Sequence, residues 1–238
     1  MIMTTTKNKT NDGVIKISKR TLEVLKNFAS INSGIIVNEG NTLNTLSSTK
    51  NILAEAKVDE VFTKSFAIWD LNKFLGTVSL FKDPEFIFGE NYVTVRGGNS
   101  SVRYHYCDAR LVTTTNKKIS MPSSVVQFDL KAKDFSEIIK ASSVLQVNQM
   151  CVRSSEDGKF IELAAVDKTD VTSNFYSVVV GENTSGASFE FIFDVENLKI
   201  LPGDYSVSIS EKIVSCFSSK NEPLTYWIAL SAESTYEA

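Results

Sequence analysis

Hydrophobic residues recur at helical spacing in residues 18–30, SKRTLEVLKNFAS, near the start of the chain. The apolar positions lie three or four residues apart, which places them on one face of a helix. They are Leu22, Leu25, Phe28 and Ala29. Ser18 comes just before this pattern and suits the N-cap position. Gly34 comes just after it, so we expect a left-handed turn there to end the helix.

A shorter helical pattern follows in 67-AIWDLNKFLGTVSL-80, where Asp70 stands at the first turn and can accept backbone N–H bonds. Elsewhere apolar and polar residues alternate, which predicts strands. These strands cover 35–37, 92–95, 102–106, 150–154, 160–166, 175–180 and 226–230. Asp157-Gly158 separates two of them and predicts a hairpin turn.

The same order of elements recurs in the second half of the chain. A shift of 114 residues superimposes 132-AKDFSEIIKASS-143 on the first helix and places Asn148 at the position of Gly34. It also aligns Lys19, Glu23 and Lys26 with Lys133, Glu137 and Lys140. A shift of 124 residues aligns Asp70 with Asp194, which predicts a second short helix after Asp194.

The repeat predicts an α+β chain made of two similar domains, each with two helices packed on antiparallel sheets. Residues 1–13 form a polar segment that we interpret as a flexible tail. We assign 14–112 to the first domain, 113–124 to the linker and 125–238 to the second domain. The offset between the halves grows from 114 to 124 residues, so the second half must contain about ten additional residues. Loops accommodate such an insertion at little cost.

Composition narrows the class of protein. The chain has 238 residues, 42% of them hydrophobic, and a formal net charge of −3. No apolar run approaches the roughly 20 residues of a membrane span, and residues 1–13 do not resemble a signal peptide. The three cysteines are few, odd in number and far apart, so we expect a reducing cytoplasm. They are Cys107, Cys151 and Cys216.

No constellation of residues indicates catalysis. The single histidine, His105, lies in a predicted strand, where it is more often structural. No Cys, His or acidic cluster has metal-binding spacing, and no phosphate-binding glycine motif is present. The short sequence Arg96-Gly97-Gly98 follows a strand without a helical pattern after it. We therefore predict a protein that is not an enzyme and that requires no cofactor.

The polar faces of the helices remain as candidate functional surfaces. Four basic residues between positions 16 and 26 outnumber Glu23, and three lysines lie in 131–140 with two acidic residues. The four are Lys16, Lys19, Arg20 and Lys26. Two interpretations stay open, an ordinary solvated helix face or a face that follows DNA phosphates. The absence of aromatic residues from these faces favours loose, sequence-independent contact with duplex DNA over tight single-strand binding.

Four blocks of the sequence resemble the sliding clamps of T-even-like bacteriophages. They are 17-ISKRTLEVLKNFASINSGIIV-37, 66-FAIWDLNKFLGTVSL-80, 198-LKILPGDY-205 and 226-YWIALSAEST-235. The resemblance implies a homotrimeric ring around duplex DNA, with helices lining the hole. It also implies loading by an ATP-driven clamp loader, tethering of the replicative DNA polymerase for processive DNA replication, and support of late viral transcription. The place of action would be the cytoplasm of the infected bacterial host.

The resemblance also suggests which residues contact DNA. Lys19 and Lys26 match basic positions of the first helix in the hole, and Lys140 matches one on the helix of the second domain. The charge pattern of the predicted helices adds Arg20, Lys73, Lys133 and Lys199.

Partner peptides of clamps bind an apolar pocket near the linker and the C-terminal strand. The corresponding candidates are Met121, Pro122, Val125, Val126, Ile228 and Leu230, although each can equally be an ordinary core or linker residue. The family's mode of subunit contact points to 102–112 and 172–180 as the paired edge strands.

Helix packing favours three copies over two. With four helices per chain and about 10 Å between helix axes, two copies leave a hole of about 15 Å, and three leave about 28 Å. Only the larger hole admits a duplex. The alternative function is a single-stranded-DNA-binding or structural protein of the replication machinery that does not form a ring.

Overall fold

The computed structural model describes residues 13–115, 120–170 and 172–238. Apart from Gly13, the predicted tail lies outside the described residues, as do positions 116–119 of the predicted linker. The chain divides into two compact units. Unit 1 consists of the described part of Met1–Leu43 with Val58–Thr114, and unit 2 of Asn44–Lys57 with the described part of Thr115–Ala238.

The described residues form three α-helices, two 3-10 turns and a set of mostly antiparallel strands. The helices are α1 (Lys19–Ile31), α2 (Leu71–Val78) and α3 (Ala132–Leu145), and the 3-10 turns are Ala109–Leu111 and Val195–Asn197. The strands are β1 (Val14–Ile15), β2 (Ile35–Val37), β3 (Gly40–Leu46), β4 (Ile52–Phe62), β5 (Phe66–Ile68), β6 (Glu85–Phe88), β7 (Tyr92–Gly97), β8 (Ser100–His105), β9 (Val126–Leu130), β10 (Gln149–Ser154), β11 (Phe160–Val166), β12 (Tyr176–Glu182), β13 (Ser188–Asp194), β14 (Tyr205–Ser210), β15 (Val214–Ser219), β16 (Leu224–Ala229) and β17 (Thr235–Glu237).

Each unit packs its helices on sheets, as predicted. In unit 1, a four-stranded sheet has the order β1-β6-β7-β8, and β2 pairs with β5. In unit 2, a five-stranded sheet has the order β12-β11-β10-β13-β17. A six-stranded sheet has the order β3-β4-β16-β15-β14-β9. The hairpin predicted at Asp157-Gly158 is confirmed, because β10 and β11 pair antiparallel and Gly158 adopts a φ of 72°.

Residues 44–57 differ from the predicted domain division. We assigned them to the first domain, but they belong to unit 2. The reason is a strand pairing between distant segments, since Ile52–Ala56 of β4 pairs antiparallel with Leu224–Ile228 of β16. Alternate residues of β4 are buried, which satisfies the two-residue period of a strand with one face in a core. The units part in sequence between Thr114 and Thr115, within the stretch predicted as linker.

The start of α1 is as predicted, and its end is not. The Ser18 hydroxyl accepts a hydrogen bond from the Thr21 backbone N–H at 3.2 Å, which confirms it as the N-cap. The expected left-handed turn at Gly34 is wrong, because Gly34 has no positive φ. Glycine is required there for a close approach instead, since a Cβ at this position would lie 2.8 Å from the Ile68 carbonyl oxygen.

The prediction for the end of the repeat helix needs the same kind of correction. The helix α3 ends in a left-handed residue, but this residue is Gln146, with a φ of 57°, and not Asn148. The Ser142 hydroxyl, which is buried, donates to the Val147 carbonyl and holds the chain as it leaves the helix. The sequence offset therefore located the helix end to within two residues.

The second helix of the repeat is present only in unit 1. Asp70 caps α2 by accepting from the Lys73 backbone N–H at 2.8 Å, as predicted. The helix predicted after Asp194 is instead a single 3-10 turn, Val195–Asn197, and the Asp194 side chain makes no capping hydrogen bond. Unit 2 thus has one α-helix among its described residues, where we expected two.

Candidate nucleic-acid interface

One face of α1 carries the charged residues predicted to approach DNA. Lys19 and Lys26 are exposed, with Glu23 and Ser30 between and beyond them on the same side. The opposite side is buried in the core of unit 1 through Thr21, Val24, Leu25, Phe28, Ala29 and Ile31. Neither lysine forms an ion pair with a residue that the structure describes. Arg20, the third predicted residue of this helix, is half-buried and therefore contributes less to the exposed face.

A buried carboxylate holds the N-terminus of α1 in place. Glu60 on β4 is only 8% exposed and accepts hydrogen bonds from the Ser18 backbone N–H and the Thr21 hydroxyl, both at 2.5 Å. A negative charge at a helix N-terminus is stabilised by the helix dipole and the free N–H groups. Glu60 lies 42 residues from Ser18 in sequence, and no local pattern pointed to it.

The helix α3 presents a second face of the same type in unit 2. Lys133 and Lys140 are exposed, and Glu137 forms an ion pair with Lys133 at 3.6 Å. The N-terminus of α3 is also held by a carboxylate from a distant strand connection, because the Ala132 N–H donates to Asp204 at 2.9 Å. This hydrogen bond and the nearby Lys131 lower the pKa of Asp204. Sequence reasoning missed this contact, since the two residues are 72 positions apart.

The two remaining cations that we predicted to contact DNA, Lys73 and Lys199, lie on different kinds of element. Lys73 is exposed on α2, where it forms no ion pair with the described residues. Lys199 is exposed but does not lie on a helix, because the predicted helix is the 3-10 turn that ends at Asn197. We predicted that Lys199 lies on a DNA-facing helix, and this is wrong, because Lys199 lies in a loop.

Three of the six predicted pocket residues are in the core of unit 2. Val126, Ile228 and Leu230 are each at most 6% exposed, so their side chains pack inside the sheets and do not reach solvent. Met121, Pro122 and Val125 are half-exposed. The backbone N–H of Val125 donates to the Ile209 carbonyl at 2.8 Å, which fixes this end of the segment. The peptide pocket therefore stays a prediction, and the half-exposed Met121, Pro122 and Val125 are its remaining candidate residues.

The strands predicted to make subunit contacts lie at sheet edges. The strand β8 is an edge of the four-stranded sheet in unit 1, and β12 is an edge of the five-stranded sheet in unit 2. The segment 175–179 carries large exposed apolar side chains, with Phe175 exposed to 61% and Val179 to 53%. Both edges therefore offer unpaired backbone groups, and one of them offers an apolar surface beside them.

The described residues also bear on metal binding and on the reactivity of a cysteine thiol. Within these residues, no group of His, Cys, Asp and Glu could hold a metal ion. Burial raises the pKa of the Cys151 thiol to about 12, which keeps it from acting as a thiolate nucleophile. Among the described helices, none is long and apolar enough to cross a lipid bilayer.

Comparison with solved structures identifies the fold as that of the DNA clamps. An A. fulgidus PCNA bound to the C-terminal region of FEN-1 superimposes with a TM-score of 0.68 at 13% identity, over 93% of this chain and 98% of that one. A Helicobacter pylori beta clamp bound to a DNA ligase peptide gives a TM-score of 0.70 at 13% identity, over 94% of this chain and 67% of that one. At this identity the likeness shows the fold alone.

Sequence comparison narrows the class to phage sliding clamps. The family described as DNA polymerase processivity factor matches residues 16–104, and the family described as gp45 sliding clamp, C terminal, matches 127–232. The sliding clamp of Vibrio phage KVP40 is 34% identical over 92% of this chain and 100% of the relative. That of Escherichia phage RB69 is 30% identical over 94% and 100%. The chain belongs to the sliding-clamp family of T4-like phages, and it is a processivity factor, not an enzyme.

Proposed function

We propose that three copies of the chain form a closed ring around duplex DNA and hold the replicative DNA polymerase on its template. The observation that carries this proposal is a pair of long sheet edges, β8 in unit 1 and β12 in unit 2. Two different edges on one chain permit head-to-tail association, and such contacts close into rings when the rotation between copies allows it.

The other edges of these two sheets are much shorter. They are β1 with two residues and β17 with three, whereas β8 has six residues and β12 has seven. Short edge strands are one way in which proteins avoid unwanted pairing between sheets. The long edges β8 and β12 lack this protection, which supports their pairing with another copy.

Helix number by itself does not select a trimer. The hole sizes given above require four helices per chain, and the described residues contain three. Nine helices side by side would leave a hole of roughly 19 Å, about the width of the duplex. In our proposal the 3-10 turn Val195–Asn197 takes the place of the missing helix in the lining. The number of copies then rests on the resemblance to the phage clamps and on a mass measurement.

The charge pattern supports sliding and not tight binding. Lys19, Lys26 and Lys140 would face phosphates, with Glu23 and Glu137 interspersed on the same helices. A closed ring stays on DNA by topology, so weak and salt-screened contacts suffice. The slightly negative net charge of −3 leaves the rest of the surface without a general attraction for DNA.

The ring is tested by mass and by topology. Light scattering at micromolar concentration should give the mass of three chains, and loaded protein should remain on circular duplex and leave it after linearisation. A monomer in this range, with retention that does not depend on circularity, contradicts the proposal. Tight binding to short single strands would instead support the alternative, a single-stranded-DNA-binding protein.

The DNA-facing role of α1 is tested by reversing its charges. Lys19→Glu with Lys26→Glu should shorten the products of primed synthesis by about tenfold, because several phosphate contacts become repulsive. Lys82→Glu with Lys212→Glu makes the same change of charge at exposed loop positions away from α1 and is the control. Equal product lengths for the two double variants, with unchanged thermal stability, would remove α1 from the DNA interface.

We extend the proposal to the partners that the resemblance implies. An A. fulgidus PCNA has been solved with the C-terminal region of FEN-1, and an H. pylori beta clamp with a DNA ligase peptide. By likeness, a peptide of the polymerase, of the clamp loader or of late transcription factors would bind near Met121, Pro122 and Val125. These partners act on DNA in the cytoplasm of the infected bacterium.

A further inference from the structure

Trp69 is exposed although buried residues lie close to it on both sides in sequence. Its surface is 55% accessible, whereas Ile68 directly before it and Leu71 two positions after it are each only 1% exposed. The residue connects β5 to α2, next to the capping residue Asp70. Because tryptophan is the residue that most often dominates the energy of protein interfaces, an exposed one in a rigid setting is a candidate contact.

Trp69 forms part of a groove in unit 1 between α2 and β8. The groove is lined by Trp69, Asp70, Lys73, Thr77 and the residues of β8 from Val102 to His105. Tyr104 is held rigidly in it, because its hydroxyl donates to the Asp70 carbonyl at 3.0 Å and its ring meets Phe74 edge-on at 5.2 Å. The groove is therefore already formed and continues directly into the unpaired edge of β8.

The other long edge carries the complementary features. At the start of β12, Tyr176 is 39% exposed and its hydroxyl donates to Glu137 on α3 at 3.4 Å. Among the described residues, Glu137 forms its ion pair with the exposed Lys133 alone, and such a pair four residues apart on a helix contributes little. The surface thus combines an aromatic ring with a carboxylate. The groove combines an aromatic ring with Lys73, a cation that has no ion pair with any described residue.

The direction of strand pairing brings these features together. Every described strand pair in the two sheets concerned is antiparallel. If β8 of one copy joins β12 of another in the same way, the end of β8 lies opposite the start of β12. In the register that places Tyr104 opposite Tyr176, each ring faces a helix of its own unit, because Tyr104 contacts α2 and Tyr176 contacts α3. Parallel pairing would place Glu182 there and leave Glu137 far from the groove.

We propose that the groove of Trp69 binds a second copy of this chain, with the Trp69 ring packed against Tyr176 and Lys73 paired with Glu137. This inference rests on the proposed ring and names the residues that determine its strength. It also assigns Lys73 to ring closure, whereas sequence analysis placed it among the residues that contact DNA.

The first experiment follows Trp69 itself. Trp227 is the other tryptophan of the chain, so the Trp227→Phe variant carries Trp69 as its single indole. Its fluorescence and its mass are measured over the same dilution series, without DNA. The emission of Trp69 should shift to shorter wavelength as the trimer forms and return as it dissociates, because the ring leaves water on assembly.

The second experiment measures the two contacts by substitution. Trp69→Ala should raise the concentration at which half of the protein is assembled by about tenfold or more, as expected for an interface hot spot. Leu80→Ala is the control, since Leu80 is an exposed apolar residue of unit 1 outside the groove. Lys73→Glu and Glu137→Lys should each weaken assembly, and the double variant should recover most of it.

The outcomes separate this inference from the proposed function. A protein that is monomeric at micromolar concentration would contradict the ring itself. A trimer whose Trp69 emission stays constant on dilution, and whose assembly is unaffected by Trp69→Ala, would overturn the inference and leave the ring intact. An emission change that occurs only when duplex DNA is added, or a charge swap without recovery, would also overturn it, because the groove would then contact DNA.

Discussion

Two stretches with a similar sequence pattern adopt different local structures in the two units of the chain. In unit 1, Leu71, Phe74, Leu75 and Val78 are buried along one side of α2. The offset of 124 residues places Val195, Leu198, Lys199 and Pro202 at these positions in unit 2. A charge and a proline therefore replace the two residues that would complete the apolar face of a helix. Leu198 and Ile200 are both buried, with the exposed Lys199 between them, which is the spacing of extended chain.

This difference shows that two halves with similar sequence patterns need not provide equivalent surfaces. Unit 1 has α1 and α2 packed together, and unit 2 has α3 beside an open groove. The groove is lined by residues of α3 such as Ile139 and Ser143 on one side and by Asp194 and Glu196 on the other. At the positions where unit 1 has Asn72 and Lys73, unit 2 thus has Glu196 and Asn197.

We expect the largest effect from a comparison of α2 with the matching segment of unit 2. Phe74→Ala removes a ring that is 4% exposed and contacts both Phe86 and Tyr104, so we expect a loss of about 3–5 kcal/mol in the free energy of unfolding. Leu198→Ala, at the matching position, should cost less and leave the helical circular dichroism unchanged. Urea unfolding and far-ultraviolet spectra of both variants measure this. If Leu198→Ala lost as much helical circular dichroism as Phe74→Ala, the segment after Asp194 would support as much helix as α2 does, which contradicts the comparison.

A smaller effect is expected where a carboxylate holds the start of α1. Glu60→Ala leaves the Ser18 N–H and the Thr21 hydroxyl without their buried acceptor, which should cost about 2–3 kcal/mol. Glu55→Ala is the matched control, because Glu55 is exposed on the outer side of the same strand. Chemical denaturation measures both. If the two variants lose the same stability, the hydrogen bonds of Glu60 do not hold the helix.

The smallest effect concerns the corresponding contact in unit 2, and it depends on pH. The Ala132 N–H and Lys131 lower the pKa of Asp204 in the folded protein, while the unfolded chain retains a value of about 3.9. A lowered pKa stabilises the fold above the unfolded value, and this contribution disappears as the pH falls through the folded value. The wild type should therefore exceed Asp204→Asn in melting temperature near neutral pH, with a difference that shrinks in acid. A difference independent of pH would mean that the ionised carboxylate is not responsible.

Local patterns predicted most helices and their caps but not the long-range contacts that hold them. Ser18 and Asp70 were identified as caps because the signal lies within four residues of the helix start. Glu60 and Asp204 hold helix ends from other strands, so no local pattern could reveal them. The exposed faces of α1 and α3 followed from helical periodicity, whereas the burial of Val126, Ile228 and Leu230 depended on which sheet face each residue occupies.

The residue pattern alone was enough to predict α1, α2 and α3, the repeat, the lysines of the exposed helix faces and the likeness to phage clamps. These properties depend on residue spacing of a few positions or on similarity along the whole chain. The tertiary structure was needed to show that residues 44–57 join unit 2, that the turn after Asp194 is not a helix, and that Trp69 is exposed beside the edge strand β8. The physical reason is that burial and strand pairing are formed between residues far apart in sequence, where no periodicity along the chain records them.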